Sequence, residues 1–325
     1  MKKLLALCMF FALPAFGKNV FVEKNLEFVD SLKKQQIDVI APASGSKAKT
    51  IKDLQKIPGL NLRLPARCIS TPASLSHSAS DDIRFECLKD AITNKSSNIV
   101  WSLRGGYGSA KLISRLSLLA KPDKEKFFIG YSDITALHLF FSQNWGWKTI
   151  HGPVLIEFLN DKKDRDNFIK IANIVSGKVS KSIIGGIIPI NSLARENGII
   201  EGTLTGGNLT IVQNSIGTPW QIITTGKIIF LEDINIYPYQ LDRILLHLKH
   251  AGLFDNIKAI IFGELYNCKT ETNNVLEDFA NTAQVPVYKS MKFGHGVVND
   301  PIIYNAATKI IRISSDNYQL VTKLK

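Results

Sequence analysis

The segment 127–137, with the sequence FFIGYSDITAL, places a serine between a short apolar strand and a helix. Residues 127–130 are predicted to form the strand and residues 131–133 the turn. The helix is predicted to begin after residue 133. A serine on a sharp strand-to-helix turn can expose its hydroxyl above a sheet edge, where the N–H of the next residue, Asp133, can bind an oxyanion. The pattern departs from GxSxG because Ile134 replaces the last glycine. Ser132 can instead cap the helix, since serine is a preferred N-cap residue.

The same order of strand, turn and helix recurs through the first half of the chain. Strands are predicted at Ile37–Ala41 and Ile99–Leu103, and Ser80, followed by two aspartates, is typical of a helix N-terminus. The second of these strands ends at Arg104–Gly108 (RGGYG), whose adjacent glycines let backbone N–H groups approach a ligand. An ordinary tight turn explains this stretch equally well. It has neither the GxGxxG spacing of a dinucleotide site nor a Walker motif. The alternation predicts an α/β fold.

The length of the chain, 325 residues, predicts about two domains. A charged patch at 161–166 (DKKDRD) opens the range 161–198, which ends in turns containing Gly and Asn. We interpret this range as the connection between an N-terminal domain at 18–160 and a C-terminal domain at 199–325. In the second domain, strands are predicted at Lys227–Glu232 and Ala259–Gly263, with a helix between them.

Residues 1–17 have the pattern of a secretory signal peptide. Lys2 and Lys3 precede the apolar run Leu4–Phe16, and small residues, Ala15 and Gly17, stand at positions −3 and −1 of a cleavage site. The run is too short to span a bilayer of about 30 Å as a helix. A buried N-terminal strand or helix is the alternative. We expect a periplasmic protein with a cleaved signal and no stable membrane insertion.

The composition is basic, with 40 Lys and Arg against 28 Asp and Glu and a net charge of +12. Two of these lysines belong to the predicted signal, and the other basic residues are dispersed without the tract typical of nucleic-acid binding. Because an exported protein meets no chromosome, we exclude nucleic acid as the partner. A solvated basic surface is the simplest interpretation, and an anionic polymer of the cell envelope is the alternative partner.

Three cysteines remain after the predicted signal: Cys68, Cys87 and Cys268. An odd number outside the cytoplasm leaves at least one of them unpaired. Cys68 and Cys87 can pair across a short loop, although spacing does not determine their geometry. None of the three has a CxxC or other metal-binding spacing.

A serine nucleophile needs a base, usually a histidine oriented by a carboxylate. His295 lies between two glycines after a strand-like segment, in a loop free of crowding. Glu232 ends an apolar strand, and α/β folds place their sites at strand C-termini. A salt bridge or a helix cap is the alternative role for Glu232, and the neighbouring Asp233 points to the opposite face if the strand continues.

The remaining histidines have other predicted surroundings. His151 precedes Gly-Pro and is either buried or functional. His77 lies in a Ser-rich turn, and His138 lies on the helix after Ser132. His247 and His250 are assigned to a solvated helix face.

Taken together, several blocks closely resemble the L,D-carboxypeptidase family of serine peptidases, which includes the muramoyl-tetrapeptide carboxypeptidases and the microcin C self-immunity peptidases. They follow the family's order and span nearly the whole chain after the signal. The blocks are 40–44 (IAPAS), 104–108 (RGGYG), 129–137 (IGYSDITAL), 151–153 (HGP), 201–209 (EGTLTGGNL), 230–233 (FLED) with 239–243 (YQLDR), and 294–296 (GHG).

The resemblance implies a fold and a site. The fold is an N-terminal class I amidotransferase-like (flavodoxin-like) domain plus a smaller C-terminal α/β domain, with the active site in the cleft between them. The family's catalytic triad maps onto Ser132, Glu232 and His295, and its oxyanion hole onto the backbone N–H groups of Gly106 and Asp133. No metal or organic cofactor is implied, and homodimers are common in the family.

The implied reaction releases terminal D-alanine from peptidoglycan tetrapeptides, at the bond to the L-centre of meso-diaminopimelate. Arg104 is a candidate for binding the substrate carboxylate, or alternatively a structural arginine that holds the glycine turn. Export suggests action on polymeric or freshly released peptidoglycan, with L,D-endopeptidase cleavage of cross-linked stems as a further activity. The alternatives are an immunity-type peptidase that cleaves an aminoacyl-nucleotide antibiotic and a non-catalytic murein-binding protein. The sequence lacks the glycine fingerprint of a nucleotide-dependent Rossmann enzyme.

Overall fold

The computed structural model describes residues 25–69 and 76–324, so the predicted signal peptide at 1–17 lies outside the described residues. Strands β1 to β13 are, in chain order, Gln36–Ile40, Asn61–Arg63, Ile99–Ser102, Phe127–Gly130, Ile150–His151, Lys181–Pro189, Ile199–Asn208, Ile228–Ile234, Ala259–Tyr266, Val287–Gly294, Ile302–Ile303, Ala307–Ser314 and Asn317–Lys323. Helices α1 to α10 are 25–32, Ala48–Gln55, Asp81–Thr93, Ile113–Leu116, Thr135–Asn144, Arg165–Val175, Ser192–Glu196, Leu209–Ser215, Pro238–His250 and Thr272–Thr282. Short 3₁₀ turns lie at Ala66–Cys68, Ser109–Leu112, Ser132–Ile134 and Leu155–Leu159.

The first sheet has the strand order β11-β5-β4-β3-β1-β2. The neighbours among β1 to β5 are parallel, and β11 pairs antiparallel with β5 at the edge. The order 2-1-3-4-5 is that of flavodoxin-like folds. β3 is buried along its whole length, as expected for a strand in a parallel sheet covered on both faces. α3 begins where the sequence predicts, because the Ser80 side chain accepts a hydrogen bond from the N–H of Ile83.

The second sheet is a closed barrel in the order β10-β6-β13-β12-β7-β8-β9. β7 to β10 are parallel neighbours connected through α8, α9 and α10, which is the α/β pattern that the sequence predicts. β6, β12 and β13 pair antiparallel and complete the circle. The predicted fold class, two α/β units, is therefore confirmed, and the closure of the second into a barrel is an addition to it.

Most of the range 161–198, interpreted above as a connection, is regular structure. Phe168 of α6 packs against Phe28, Trp101 and Phe158 in the core beside the first sheet. β6, by contrast, belongs to the barrel. The chain therefore first crosses from the first sheet to the barrel in the short segment between α6 and β6. The chain then returns, because β11 joins the first sheet from within the predicted C-terminal domain. The two sheets do not coincide with the predicted ranges 18–160 and 199–325.

A disulfide joins Cys68, in the 3₁₀ turn at Ala66–Cys68, to Cys87 of α3, with a Cα–Cα distance of 5.8 Å. The pairing left open by the sequence is therefore present, and Cys268 is a free, partly buried thiol. Within the described ranges, no helix combines the length and the hydropathy needed to cross a membrane.

Candidate active site

The serine turn follows β4 directly. Tyr131 is extended, with φ −156°, and Ser132 has φ +63°, a left-handed conformation that is uncommon for a residue other than glycine. The backbone then enters a 3₁₀ turn and α5. Such local strain is often found at functional sites. Among the described residues, Ser132 makes no capping hydrogen bond to the helix that it precedes, which disfavours the simple N-cap interpretation.

The glycine turn after β3 packs directly on the serine turn. A methyl group at Gly105 would lie 3.1 Å from Cβ of Ser132, a tight contact that would push the two turns apart by a few tenths of an ångström. The neighbouring Gly106 has φ +110°, and a methyl group there would lie 2.7 Å from Cβ of Ser44. Gly106 therefore packs closely on Ser44, while its neighbour Gly105 packs on the serine turn.

The Asp133 side chain ties these two turns together, a role that the sequence does not reveal. Its carboxylate accepts hydrogen bonds from the N–H groups of Ser109, at 2.8 Å, and Gly108, at 3.3 Å. In return, the Ser109 hydroxyl donates to the backbone carbonyl of Asp133 at 2.6 Å. Burial raises the pKa of Asp133, whereas the hydrogen bonds from Ser109 and Gly108 favour its ionised form.

Glu232 and His295 form a hydrogen-bonded pair at the carboxyl ends of β8 and β10. The distance from His295 Nδ1 to Glu232 Oε2 is 2.6 Å, and Glu232 is fully buried. Burial alone lowers the pKa of His295, but the carboxylates, Glu232 first, outweigh it and raise the pKa above its ordinary value. Gly294, with φ +126°, allows the close approach of the histidine loop to β8 and β9.

Tyr131 brings the two halves of the site into contact. Its ring centroid lies 4.7 Å from that of His295, and its hydroxyl donates to Glu157 Oε1 at 2.7 Å. Burial raises the pKa of Tyr131 well above its ordinary value, so the phenol remains a donor. Because Tyr131 precedes Ser132, this contact places the histidine loop next to the serine turn. The structure thus brings Ser132, Glu232, His295, Gly106 and Asp133 to one site.

The other histidines lie apart from the Glu232–His295 pair or lack its partners. His138 is buried, with Nδ1 2.8 Å from Thr149 Oγ1 and Nε2 2.8 Å from the carbonyl oxygen of Gly130, and burial lowers its pKa to about 4. This neutral histidine supports the end of β4. His151 is also buried, and neither ring nitrogen has a hydrogen-bond partner in the described part of the chain.

His77 stacks on Tyr107 at 5.3 Å, and His247 contacts Gln213 at the surface. Arg104 is exposed beside the glycine turn. In the described ranges, no group of three or more His, Cys, Asp or Glu side chains is arranged to hold a metal ion.

Comparison with known proteins assigns the chain to a peptidase family. Residues 37–152 match the LD-carboxypeptidase N-terminal domain, and residues 201–310 match the LD-carboxypeptidase C-terminal domain. The chain therefore belongs to the LD-carboxypeptidase family, and the resemblance found in the sequence is confirmed.

Individual relatives agree with this assignment. A Rickettsia conorii protein with a provisional carboxypeptidase name is 53% identical over 90% of this chain and 92% of its own length. A Bacillus subtilis protein, whose name gives murein peptide carboxypeptidase as its probable activity, is 31% identical over 80% of this chain and 83% of its own. The microcin C7 self-immunity protein MccF of Escherichia coli is 28% identical over 65% and 70%, respectively.

A solved structure extends the similarity to the fold. The muramoyltetrapeptide carboxypeptidase of Oxalobacter formigenes superposes with a TM-score of 0.76 at 24% identity, over 88% of this chain and 99% of that chain.

Proposed function

We propose that this protein is a serine-type L,D-carboxypeptidase that releases terminal D-alanine from peptidoglycan tetrapeptides. The observation that carries the proposal is the buried Glu232–His295 hydrogen bond beside the left-handed Ser132 turn. A nucleophile, a base and an orienting carboxylate are the three parts that serine hydrolases need. Membership of the LD-carboxypeptidase family supports the reaction class, and the names of the murein peptide carboxypeptidases support the substrate.

The mechanism follows from the hydrogen bonding of the imidazole. An ionised carboxylate only accepts hydrogen bonds, so Nδ1 of His295 carries the proton and Nε2 keeps its lone pair. Nε2 takes the proton of Ser132 as the hydroxyl oxygen attacks the scissile carbonyl carbon. Glu232 then stabilises the imidazolium, which gives its proton to the leaving amine of D-alanine. Water attacks the acyl-enzyme by the same route, which restores Ser132.

The oxyanion of the tetrahedral intermediate is assigned to the N–H groups of Gly106 and Asp133. The packing of Gly105 on Ser132 supports this assignment, because it keeps the glycine turn beside the nucleophile. Removal of one such donor typically costs about 2.7–4 kcal/mol in the activation barrier. The exposed Arg104, next to this turn, is assigned to the free carboxylate of the substrate, since guanidinium groups bind carboxylates well.

Export to the periplasm is part of the proposal. The signal pattern at 1–17 supports it, as does the Cys68–Cys87 disulfide, because disulfides persist mainly in oxidising compartments. In that compartment the enzyme would meet tetrapeptide stems on the cell wall itself, and the L–D bonds of cross-linked stems are further substrates. A homodimer is expected from the family resemblance and is tested by light scattering of the purified protein.

The decisive experiment measures D-alanine release from a free tetrapeptide by the wild type and by Ser132→Ala. We expect release by the wild type and a loss of about 10⁶-fold in kcat for the variant. Activity retained by Ser132→Ala would refute the assignment of the nucleophile. A wild type that releases no D-alanine would refute the substrate.

A second experiment tests the polymer. Purified sacculi are incubated with the enzyme and the released muropeptides are separated by chromatography. We expect tetrapeptides to be converted to tripeptides. Unchanged tetrapeptides, with an enzyme that is active on the free peptide, would limit the function to soluble fragments.

An immunity-type peptidase is the second candidate, because the MccF protein is among the relatives. One solved MccF structure contains aspartyl sulfamoyl adenosine. Incubation of this compound with the enzyme, followed by chromatography of the products, distinguishes the two candidates. Export disfavours the immunity function, since the antibiotic acts in the cytoplasm. We therefore expect the compound to remain intact under conditions in which the tetrapeptide is hydrolysed.

A further inference from the structure

Part of the charged patch at 161–166 is hydrogen-bonded to the loop that carries His295. Lys163 Nζ donates to the backbone carbonyls of His295, at 2.9 Å, and Gly296, at 2.6 Å. The next carbonyl, that of Val297, accepts hydrogen bonds from the N–H of Asp164, at 3.1 Å, and the Asn167 side chain, at 3.2 Å. Three consecutive carbonyls of the histidine loop are thus held by one segment.

The Lys163 ammonium has a third partner, the carboxylate of Glu157, whose Oε1 lies 3.0 Å away. An ammonium group has three donors, and these three acceptors match them. Both side chains are largely buried, with 11% of Lys163 and 14% of Glu157 exposed. This set of partners is typical of a cation that fixes other groups, because no donor is left to bind a substrate.

Glu157 connects this lysine to the serine turn. The same Oε1 atom accepts the hydrogen bond from the Tyr131 hydroxyl, and Oε2 lies 3.3 Å from the N–H of Val154. A continuous path therefore runs from the His295 carbonyl through Lys163 and Glu157 to Tyr131, the residue before Ser132. We call Lys163 and Glu157 the loop clamp.

The proposed reaction requires the backbone of the histidine loop to be held at a fixed distance from the serine turn. A base must lie within about 2.6–3.2 Å of the proton that it takes, yet Ser132 follows the first sheet and His295 follows a strand of the barrel. The histidine loop is flanked by Gly294 and Gly296, and glycine has more conformational freedom than other residues. Glu232 orients the imidazole through Nδ1, but it does not hold the backbone of the loop.

We infer that Lys163 and Glu157 are positioning residues, which fix the His295 backbone relative to the Ser132 turn. This inference rests on the proposed function of Ser132 and His295. Glu264 adds to the need for the cation, since its carboxylate packs on Gly296, where a methyl group would overlap it. Burial raises the pKa of Glu264, and the charges of Lys163 and His295 oppose that rise.

The test replaces Lys163 by Met, which keeps the length of the side chain and removes its donors. Lys162→Met is the matched control, because Lys162 is the exposed neighbour in the same patch. Three quantities are measured: kcat and KM for D-alanine release, the rate at which a fluorophosphonate labels Ser132, and the melting temperature. Lys163→Arg and the double variant Glu157→Gln/Lys163→Met complete the set.

A misplacement of about 1 Å can cost about 100-fold in rate. We expect Lys163→Met to lower kcat and the labelling rate by about 10- to 100-fold, with KM within about threefold and Lys162→Met unchanged. Lys163→Arg should recover part of the loss, and the double variant should lose little more than Lys163→Met, because the pair acts as a unit. If Lys163→Met does not fold, Lys163→Gln takes its place in every measurement.

Two results would overturn the inference: a kcat and labelling rate within twofold of the wild type, or a loss confined to KM, which would make Lys163 a substrate-binding residue. The labelling rate needs no peptide substrate. A wild type that is labelled but releases no D-alanine would therefore refute the proposed substrate while the clamp remains measurable.

Discussion

The carboxylate of Glu232 accepts a hydrogen bond from Nδ1 of His295 at 2.6 Å, in surroundings where Glu232 has no exposed surface. A fully buried carboxylate is costly unless it is paired. The imidazole supplies the hydrogen bond to Oε2, and Oε1 has no partner among the described residues, so Glu232 depends on His295 as much as it orients the imidazole. This mutual dependence makes the protonation of His295 the most direct measure of the state of the site.

The first prediction concerns pH. His295 must be unprotonated to act as a base, and its raised pKa places the acid limb of kcat/KM at a higher pH than an ordinary histidine would. Glu232→Gln removes the charge that raises this pKa, so the acid limb should move to lower pH. The variant should also lose about 10⁴-fold in kcat, because the amide no longer fixes the tautomer. An acid limb that does not move would contradict the assigned cause.

The other titratable and charged groups that face His295 are left unsubstituted when Glu232→Gln is compared with the wild type. They are Asp233 and Glu157, which raise its pKa, together with Tyr131, His151, Lys163 and Glu264. Of these, Lys163 and Glu264 interact with the histidine loop and Tyr131 packs on the ring. The pH profile is therefore measured at one ionic strength.

The second prediction concerns the glycine turn. Gly106→Ala would place a methyl group against Ser44 at a backbone angle that disfavours alanine. Gly146→Ala is the control, since Gly146 has φ +69° and open space around it. We expect the free energy of unfolding to fall by about 1–3 kcal/mol more for Gly106→Ala than for the control, because overpacking costs this amount.

Ser132 labelling by a fluorophosphonate should also slow down in Gly106→Ala. Ser44→Gly in the same chain removes the clashing atoms, so it should restore part of both losses. Equal destabilisation by the two alanine variants would show that the close approach to Ser44 carries no cost.

The third prediction concerns Asp133. Its two carboxylate oxygens accept the N–H groups of Gly108 and Ser109, and an amide has only one acceptor oxygen. Asp133→Asn should therefore leave one buried N–H without its partner and lower the free energy of unfolding by about 1–3 kcal/mol. Denaturant unfolding of this variant is compared with that of Asp123→Asn, at an exposed position. A similar stability of the two variants would contradict the tie between the turns.

The fourth prediction concerns the disulfide between Cys68 and Cys87, which are 19 residues apart. A cross-link over a loop of this length typically stabilises a fold by about 3 kcal/mol. Dithiothreitol should therefore lower the melting temperature of the wild type but not that of Cys68→Ala/Cys87→Ala. A reductant effect of the same size on both proteins would locate the sensitivity elsewhere, with Cys268 as the next thiol to replace.

Local features of the fold were predictable from the sequence. The parallel strands, the Ser80 cap of α3 and the serine turn each depend on residues that are close in the chain. The triad assignments came from the family resemblance and stay predictions; the structure shows the Glu232–His295 hydrogen bond and the packing of His295 on Tyr131. Features that depend on distant pairing were not predictable, such as the closure of the barrel by β6, β12 and β13.

Lys163 shows the reason most clearly. In the sequence it stands in a run of charges, a pattern that is usually solvated, and only the fold reveals that two of its three partners are 132 and 133 residues away. The Asp133 carboxylate and the Tyr131 hydroxyl were missed in the same way. Their partners come from other elements, and no local spacing indicates them.

The return of β11 to the first sheet has a consequence for the synthesis of this protein and for the expression of parts of its gene. Residues 302–303 complete the edge beside β5, although they come after most of the barrel in the chain. A ribosome has therefore synthesised nearly the entire polypeptide before the first sheet receives its last strand. A gene fragment that ends before this point encodes a sheet with an open edge. The two halves are consequently one unit of expression, and a single cluster of buried side chains extends across both.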